Sequence, residues 1–156
     1  MCGQLLTRLE QIHGSKTIQR TLLALVAVFI AWSVLDVVIH GILLQPIYDA
    51  TASLWRPMDE MSMPLMHIVT LAYKACFVAI YGLMVSARSL TTGIRYGVFF
   101  GLAAGISMGF GSYSCMPVPL TLAWSRFLGM LVEAIVAGAL VGAILKPDPQ
   151  VEVACS

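Results

Sequence analysis

Residues 21–44 read TLLALVAVFIAWSVLDVVIHGILL, an almost unbroken apolar run containing one acid, Asp36, and one imidazole, His40. A helix needs about 20 mostly apolar residues to cross the hydrocarbon of a bilayer. A soluble core helix is shorter and carries a polar face, so this stretch reads as a membrane span. Three further runs of the same kind follow, at about 64–86, 93–112 and 122–145. Pro46, Pro57, Pro64, Pro117, Pro119 and Pro147 lie between these runs or at their edges, where a helix stops in any case.

Composition agrees. The 156 residues are 59% hydrophobic and only 11% charged, against about 25% charged in soluble domains. The fold expected is therefore all-α, an integral membrane four-helix bundle over 21–146, with no room for a separate globular domain. Residues 1–20 carry Arg8, Glu10, His13, Lys16 and Arg20 among Leu5, Leu6, Leu9 and Ile12. That spacing predicts an amphipathic helix on the membrane surface. A cleaved signal peptide is the rival reading, but the apolar run is too long and no small-x-small site closes it. Residues 147–156 read as a flexible cytoplasmic tail.

Lys and Arg near span ends stay on the cytoplasmic side. Arg8, Lys16, Arg20, Arg88, Arg95 and Lys146 fall on one side of a four-span chain and only Arg56 and Arg126 on the other, which predicts cytoplasmic termini. The outer connections then hold Tyr48, Trp55, Tyr113 and Trp124, aromatic residues suited to the interface. The net charge of +1 contains no dense basic stripe, so nucleic acid is not a partner to expect. The lipid bilayer is. Cys2, Cys76, Cys115 and Cys155 form no Cys-x-x-Cys pair, so neither a redox motif nor a zinc motif is indicated.

Ionisable residues within spans are energetically unfavourable and usually face the bundle interior. Asp36 and His40 are four apart on one helix face, His67 and Lys74 are seven apart on another, and Glu133 stands alone in the fourth span. If the five converge they form either simple charge-paired glue or a binding site or proton relay. The third span carries Gly93, Gly97, Gly101, Gly105 and Gly109 at intervals of four, and the fourth offers Ala134, Gly138 and Gly142. Bare helix faces let backbones touch, the packing mode lipid favours. Spans three and four are the first expectation for that contact, and a homo-oligomer seam the second.

The first outer loop contains Met58, Met61, Met63, Met66 and His67. Thioethers with an imidazole suit a soft ion such as copper(I), although methionines also serve as flexible gap-fillers. The same loop holds Tyr48, Trp55, Arg56, Asp59 and Glu60, and its Trp-Arg-Pro turn predicts a short interfacial helix over 49–55. Arg56 is placed to pair with Asp59 or Glu60, stack on an aromatic ring, or contact a lipid phosphate. This loop reads as a cap on the bundle or, alternatively, as a ligand lid or docking surface for a membrane-complex partner.

No Gly-x-Ser-x-Gly elbow, His-Glu-x-x-His pair or phosphate-cradling loop occurs. An intramembrane enzyme would have to draw on Ser107, Ser112 or Ser114 with His40 or His67, and nothing in their spacing demands it. Trp55-Arg56 and Trp124-Ser125-Arg126 fall at comparable points of the two halves, a pattern compatible with a parallel duplication. With Asp36 and Gly41 in the first span, Tyr48 after it, and Gly-x-x-x-Gly leading to Tyr113, about 115 residues resemble small four-span bacterial inner-membrane proteins of unknown function. That resemblance implies a topology and a setting. The functional expectation is a small transport or accessory subunit acting by binding at the polar residues, with copper handling as the alternative and an enzyme third.

Overall fold

The computed structural model describes residues 2–146, and side chains for residues 16–57 and 59–146. It is helical, with no strand among the described residues. Helix α1, Cys2–Asp36, continues into a π-helical segment, Val37–Leu43; α2, Gln45–Ala50, is followed by 3-10 turns at Ala52–Leu54 and Met58–Glu60; α3 is Met63–Met84. After a short connection come α4, Leu90–Gly105, a second π-helical segment, Ile106–Gly111, the single turn α5, Ser112–Cys115, and α6, Leu120–Ile144. Four stretches are long and apolar enough to cross a membrane: Lys16–Leu43, Met63–Met84, Leu90–Cys115 and Leu120–Ile144.

Their outer surfaces say the same. Leu22, Leu23, Val26, Ile30, Val34, Leu65, Ile68, Leu83 and Phe99 are all more than half exposed, an apolar coat that only lipid leaves unpenalised. The core between the helices is formed by Ala24, Val28, Trp32, Phe77, Tyr81, Ala134 and Val141.

Residues 2–36 form one helix without a break near residue 20; the apolar stripe expected from Leu5 to Ile12 lies outside the described side chains, and the expected 147–156 tail lies outside the described residues. The loop helix differs from the expected 49–55. Pro46 sits in the first turn of α2, where its missing N–H is harmless, so the helix begins at Gln45. It ends at Ala50 because the next residue, Thr51, turns its hydroxyl back onto the Ile47 and Tyr48 carbonyls at 2.8 and 3.3 Å. The third span starts earlier than expected, at Leu90, because Ser89 caps it by accepting from the Thr92 N–H at 3.1 Å.

Helix α6 packs along α4 and also against α1, while α1 packs on α3. Aromatic contacts close the ring between α3 and α4: Phe77 meets Tyr96 and Phe100 at centroid distances of 4.7 and 4.8 Å, and the Tyr96 hydroxyl donates to the Phe77 carbonyl. On α4 the buried faces are Gly93, Gly97, Gly101 and Gly105, joined by Gly109 of the π-helical segment. A Cβ built on Gly93 would run into the Gly138 carbonyl, and one on Gly97 into the Ala134 carbonyl. Gly138 and Gly142 face back onto Gly97, Gly93 and the Ser89 carbonyl. Backbone touches backbone along this seam.

Candidate functional site: a polar centre at mid-membrane

Lys74 lies eleven residues after Met63 and ten before Met84, which puts it roughly 15 Å from either end of α3 at 1.5 Å per residue. Glu133 holds the same half-height in α6. Each is only 1% exposed. A long cationic side chain at that depth has no interface to snorkel toward, so its charge must be met locally.

Helix α1 meets it. The Lys74 ammonium donates to Ser33 Oγ at 3.0 Å and to Asp36 Oδ2 at 3.4 Å, and lies 4.9 Å from the centre of the Phe29 ring. Trp32 Nε1 donates to Glu133 Oε2 at 3.0 Å in the buried interior, and Trp32 also packs edge-on against Tyr73 and Phe77. Phe29, Trp32, Ser33, Asp36 and His40 therefore form one stripe, at the three- and four-residue spacing that aligns side chains on a helix face. Glu133 Oε1 has no hydrogen-bond partner among the described residues.

His40 stands on the π-helical segment that begins just after Asp36. Its Nδ1 is 2.8 Å from the Tyr48 hydroxyl. One ring nitrogen of His40 and one carboxylate oxygen each from Asp36 and Glu133 lie within 4.8 Å of one another. Ile39, on the same segment, approaches so closely that a Cβ on Gly129 would meet its Cγ2 at 3.0 Å. Small residues on α6 thus bring the segment against the helix that carries Glu133.

A cavity of about 170 Å³ opens beside this cluster, lined by Trp32, Asp36, Thr70, Tyr73, Lys74 and Met108 among others. That is room for several water molecules. The second π-helical segment contributes Met108 to its wall. The centre therefore draws on three helices directly and has access from its side.

Of the five ionisable residues singled out in the sequence, Asp36, His40, Lys74 and Glu133 come together. His67 does not: it is exposed on the first turns of α3, with no bond to the centre. The buried residues of α3, Lys74, Phe77, Val78 and Tyr81, all lie in its second half. The bundle is open where His67 sits, and seven residues place it roughly 10 Å along the axis from Lys74. Met63, Met66 and His67 share an exposed helix face, and Met61 precedes them half-buried.

In the loop, the Tyr48 ring packs edge-on against Trp55 at 5.6 Å, and Trp55 Nε1 donates to Thr51 Oγ1 at 3.0 Å. The cation over Trp55 is not its neighbour Arg56 but Arg126 of α6, with the guanidinium carbon 5.6 Å from the ring. Arg56, Asp59 and Glu60 are exposed and form no ion pair with each other among the described residues. Burial raises the Tyr48 hydroxyl above its ordinary pKa of 10.0, against a smaller opposing effect of the Arg126 charge.

Phe29, Trp32 and Ser33 were not singled out from sequence; counting back seven, four and three residues from Asp36 finds them. No family model matches the chain, and no curated protein or solved structure matches it.

Proposed function

We propose that this chain is a bacterial inner-membrane protein with both termini in the cytoplasm, and that it works by binding at Asp36, His40, Lys74 and Glu133, as a small transport or accessory subunit. The observation carrying this reading is the burial of Lys74 and Glu133 at half-height, each at 1% exposure. Two carboxylates face one ammonium there, Glu133 fully buried and Asp36 with 39% of its side chain exposed, leaving a formal surplus of one negative charge when His40 is neutral. At the buried Glu133 that surplus favours a proton or a bound cation. Pure charge-paired packing would balance, and would need neither His40 nor a cavity at its side.

The orientation rests on charge. Arg20, Arg88, Arg95 and Lys146 gather at the end opposite His40 and Tyr48, where Arg20 donates to the Lys146 carbonyl at 3.2 Å. Basic residues at that end favour its retention in the cytoplasm.

The test is flux and bound mass. Wild-type protein, Asp36→Asn and Lys74→Met would be sealed into vesicles containing a pH-sensitive dye, and each would be examined by native mass spectrometry after release from its own membranes. We expect wild type to conduct protons or to retain an ion, small molecule or partner chain, Asp36→Asn to lose both, and Lys74→Met to lose proton conduction, each variant keeping wild-type helicity. Variants indistinguishable from wild type in both measurements would refute the reading.

A further inference from the structure

We infer that Asp36, His40 and Glu133 form a site for a divalent first-row transition-metal ion of the zinc(II) or manganese(II) kind, and that Lys74 is the resident cation the metal displaces from Asp36. This rests on the polar centre being a binding site. It goes further by naming the ligand class and the residues that hold it.

The three donors come from two helices, α1 with its π-helical extension and α6, and their ligand atoms lie within 4.8 Å of one another. An ion bonded at ~2.0–2.2 Å to each donor sets them about 3–4 Å apart, so binding asks for a contraction of at most about 1–2 Å. π-helical turns recur at functional sites because the extra residue re-aims a side chain, and here the turn bearing His40 begins at the residue after Asp36.

The second observation is a buried acceptor aimed into the cluster. Glu133 is 1% exposed and its Oε1 has no hydrogen-bond partner among the described residues, although buried carboxylate oxygens are almost always satisfied. Trp32 fixes the other oxygen, so the carboxylate is held in place with one acceptor left over. A metal-bound imidazole ordinarily has its second ring nitrogen held by a hydrogen bond that sets its orientation, and Tyr48 provides that contact to His40 Nδ1 at 2.8 Å. The cavity lined by Asp36, Thr70 and Lys74 gives an approach to the site.

Donor chemistry selects the ion. One imidazole nitrogen and two carboxylate oxygens suit zinc(II), manganese(II) or iron(II); copper(I) prefers sulfur and magnesium an all-oxygen shell. A divalent ion offsets the two carboxylates; with Lys74 still charged the centre would then carry one net positive charge, which a hydroxide or other anion on the ion's open position would offset. Lys74 remains anchored by Ser33 Oγ and the Phe29 ring and can return to Asp36 when the ion leaves, so the empty site never holds two unopposed carboxylates.

The test measures binding of zinc(II) and manganese(II) by tag-free protein in detergent, with native mass spectrometry for stoichiometry and calorimetry for affinity. One ion per chain is expected in wild type, and at least a tenfold loss of affinity in His40→Ala, Asp36→Asn and Glu133→Gln, each checked for wild-type near-ultraviolet circular dichroism. His67→Ala should bind as wild type. Lys74→Met should bind about tenfold more tightly or better, because a like charge has been removed from beside the ion; weaker binding there would contradict the displacement. Binding retained by all three donor variants would overturn the site, as would a wild type that takes up neither ion. If that metal-free wild type still conducts protons in vesicles and Asp36→Asn does not, the polar centre stands as a binding site and only its metal is lost. If it neither conducts nor retains any ligand or partner, both inferences fall.

Discussion

Replacing Gly97 by alanine adds one methyl group at the α4–α6 seam. That methyl would overlap the Ala134 carbonyl oxygen and lie 3.0 Å from both the Ala134 carbonyl carbon and the Ile135 Cα. All three atoms are backbone, so no side-chain rotation relieves the clash and the two helices must separate. Overpacking of this kind costs about 1–3 kcal/mol, and rigid opposing atoms place Gly97 toward the upper end. Higher helix propensity returns at most ~1 kcal/mol, leaving a net loss of about 1–2 kcal/mol. Gly111 is the matched control: a Cβ there meets nothing within 4 Å, so Gly111→Ala should be neutral or slightly stabilising. Equilibrium unfolding in mixed micelles, followed by tryptophan fluorescence, measures both. Equal stability of Gly97→Ala and Gly111→Ala would refute the close approach of α4 to α6.

Three other outcomes follow from the same geometry. Gly101→Leu, which places a whole side chain against Leu131 and Ala134, should be more damaging than Gly97→Ala in the same assay. The raised pKa of Tyr48 means that its neutral form is favoured by folding; that contribution is fully present below pH 10, the unfolded value, and is lost as pH rises beyond it, so Tyr48→Phe should reduce the alkaline loss of stability in the unfolding profile. Arg126→Gln should cost about 0.5–1 kcal/mol by removing the cation from the Trp55 ring and should shift Trp55 emission, whereas Arg56→Gln should leave both unchanged.

The spans were legible because lipid imposes a simple rule, long apolar runs interrupted by proline and turn residues, and the loop boundaries were less so because they depend on single side chains such as Ser89 and Thr51. The row of glycines on the third span was visible as a stripe, and its position against α6 follows from matching small residues at Ala134, Gly138 and Gly142. Asp36, His40, Lys74 and Glu133 stood out because charged groups within apolar runs are few and spacing places the first two on one face. Phe29, Trp32 and Ser33 share a helix face with Asp36, but each is an ordinary residue in a span, and only the position of Lys74 gives that face its role. The π-helical segments carry no residue signature; Val37, Val38 and Ile39 read equally well as regular helix. His67 shows the limit of spacing alone: it shares a helix face with Lys74, but that face is packed only over its second half.

The central claim is that the first and second spans meet through Asp36 and Lys74 at the edge of a buried carboxylate. A double-mutant cycle of Asp36→Asn and Lys74→Met, measured by unfolding in mixed micelles, tests that most directly. The account predicts that each single variant is destabilised and that the double variant recovers part of the loss, with a coupling of about 1–3 kcal/mol. Strictly additive effects would contradict it, because two residues that do not meet have no shared term to lose.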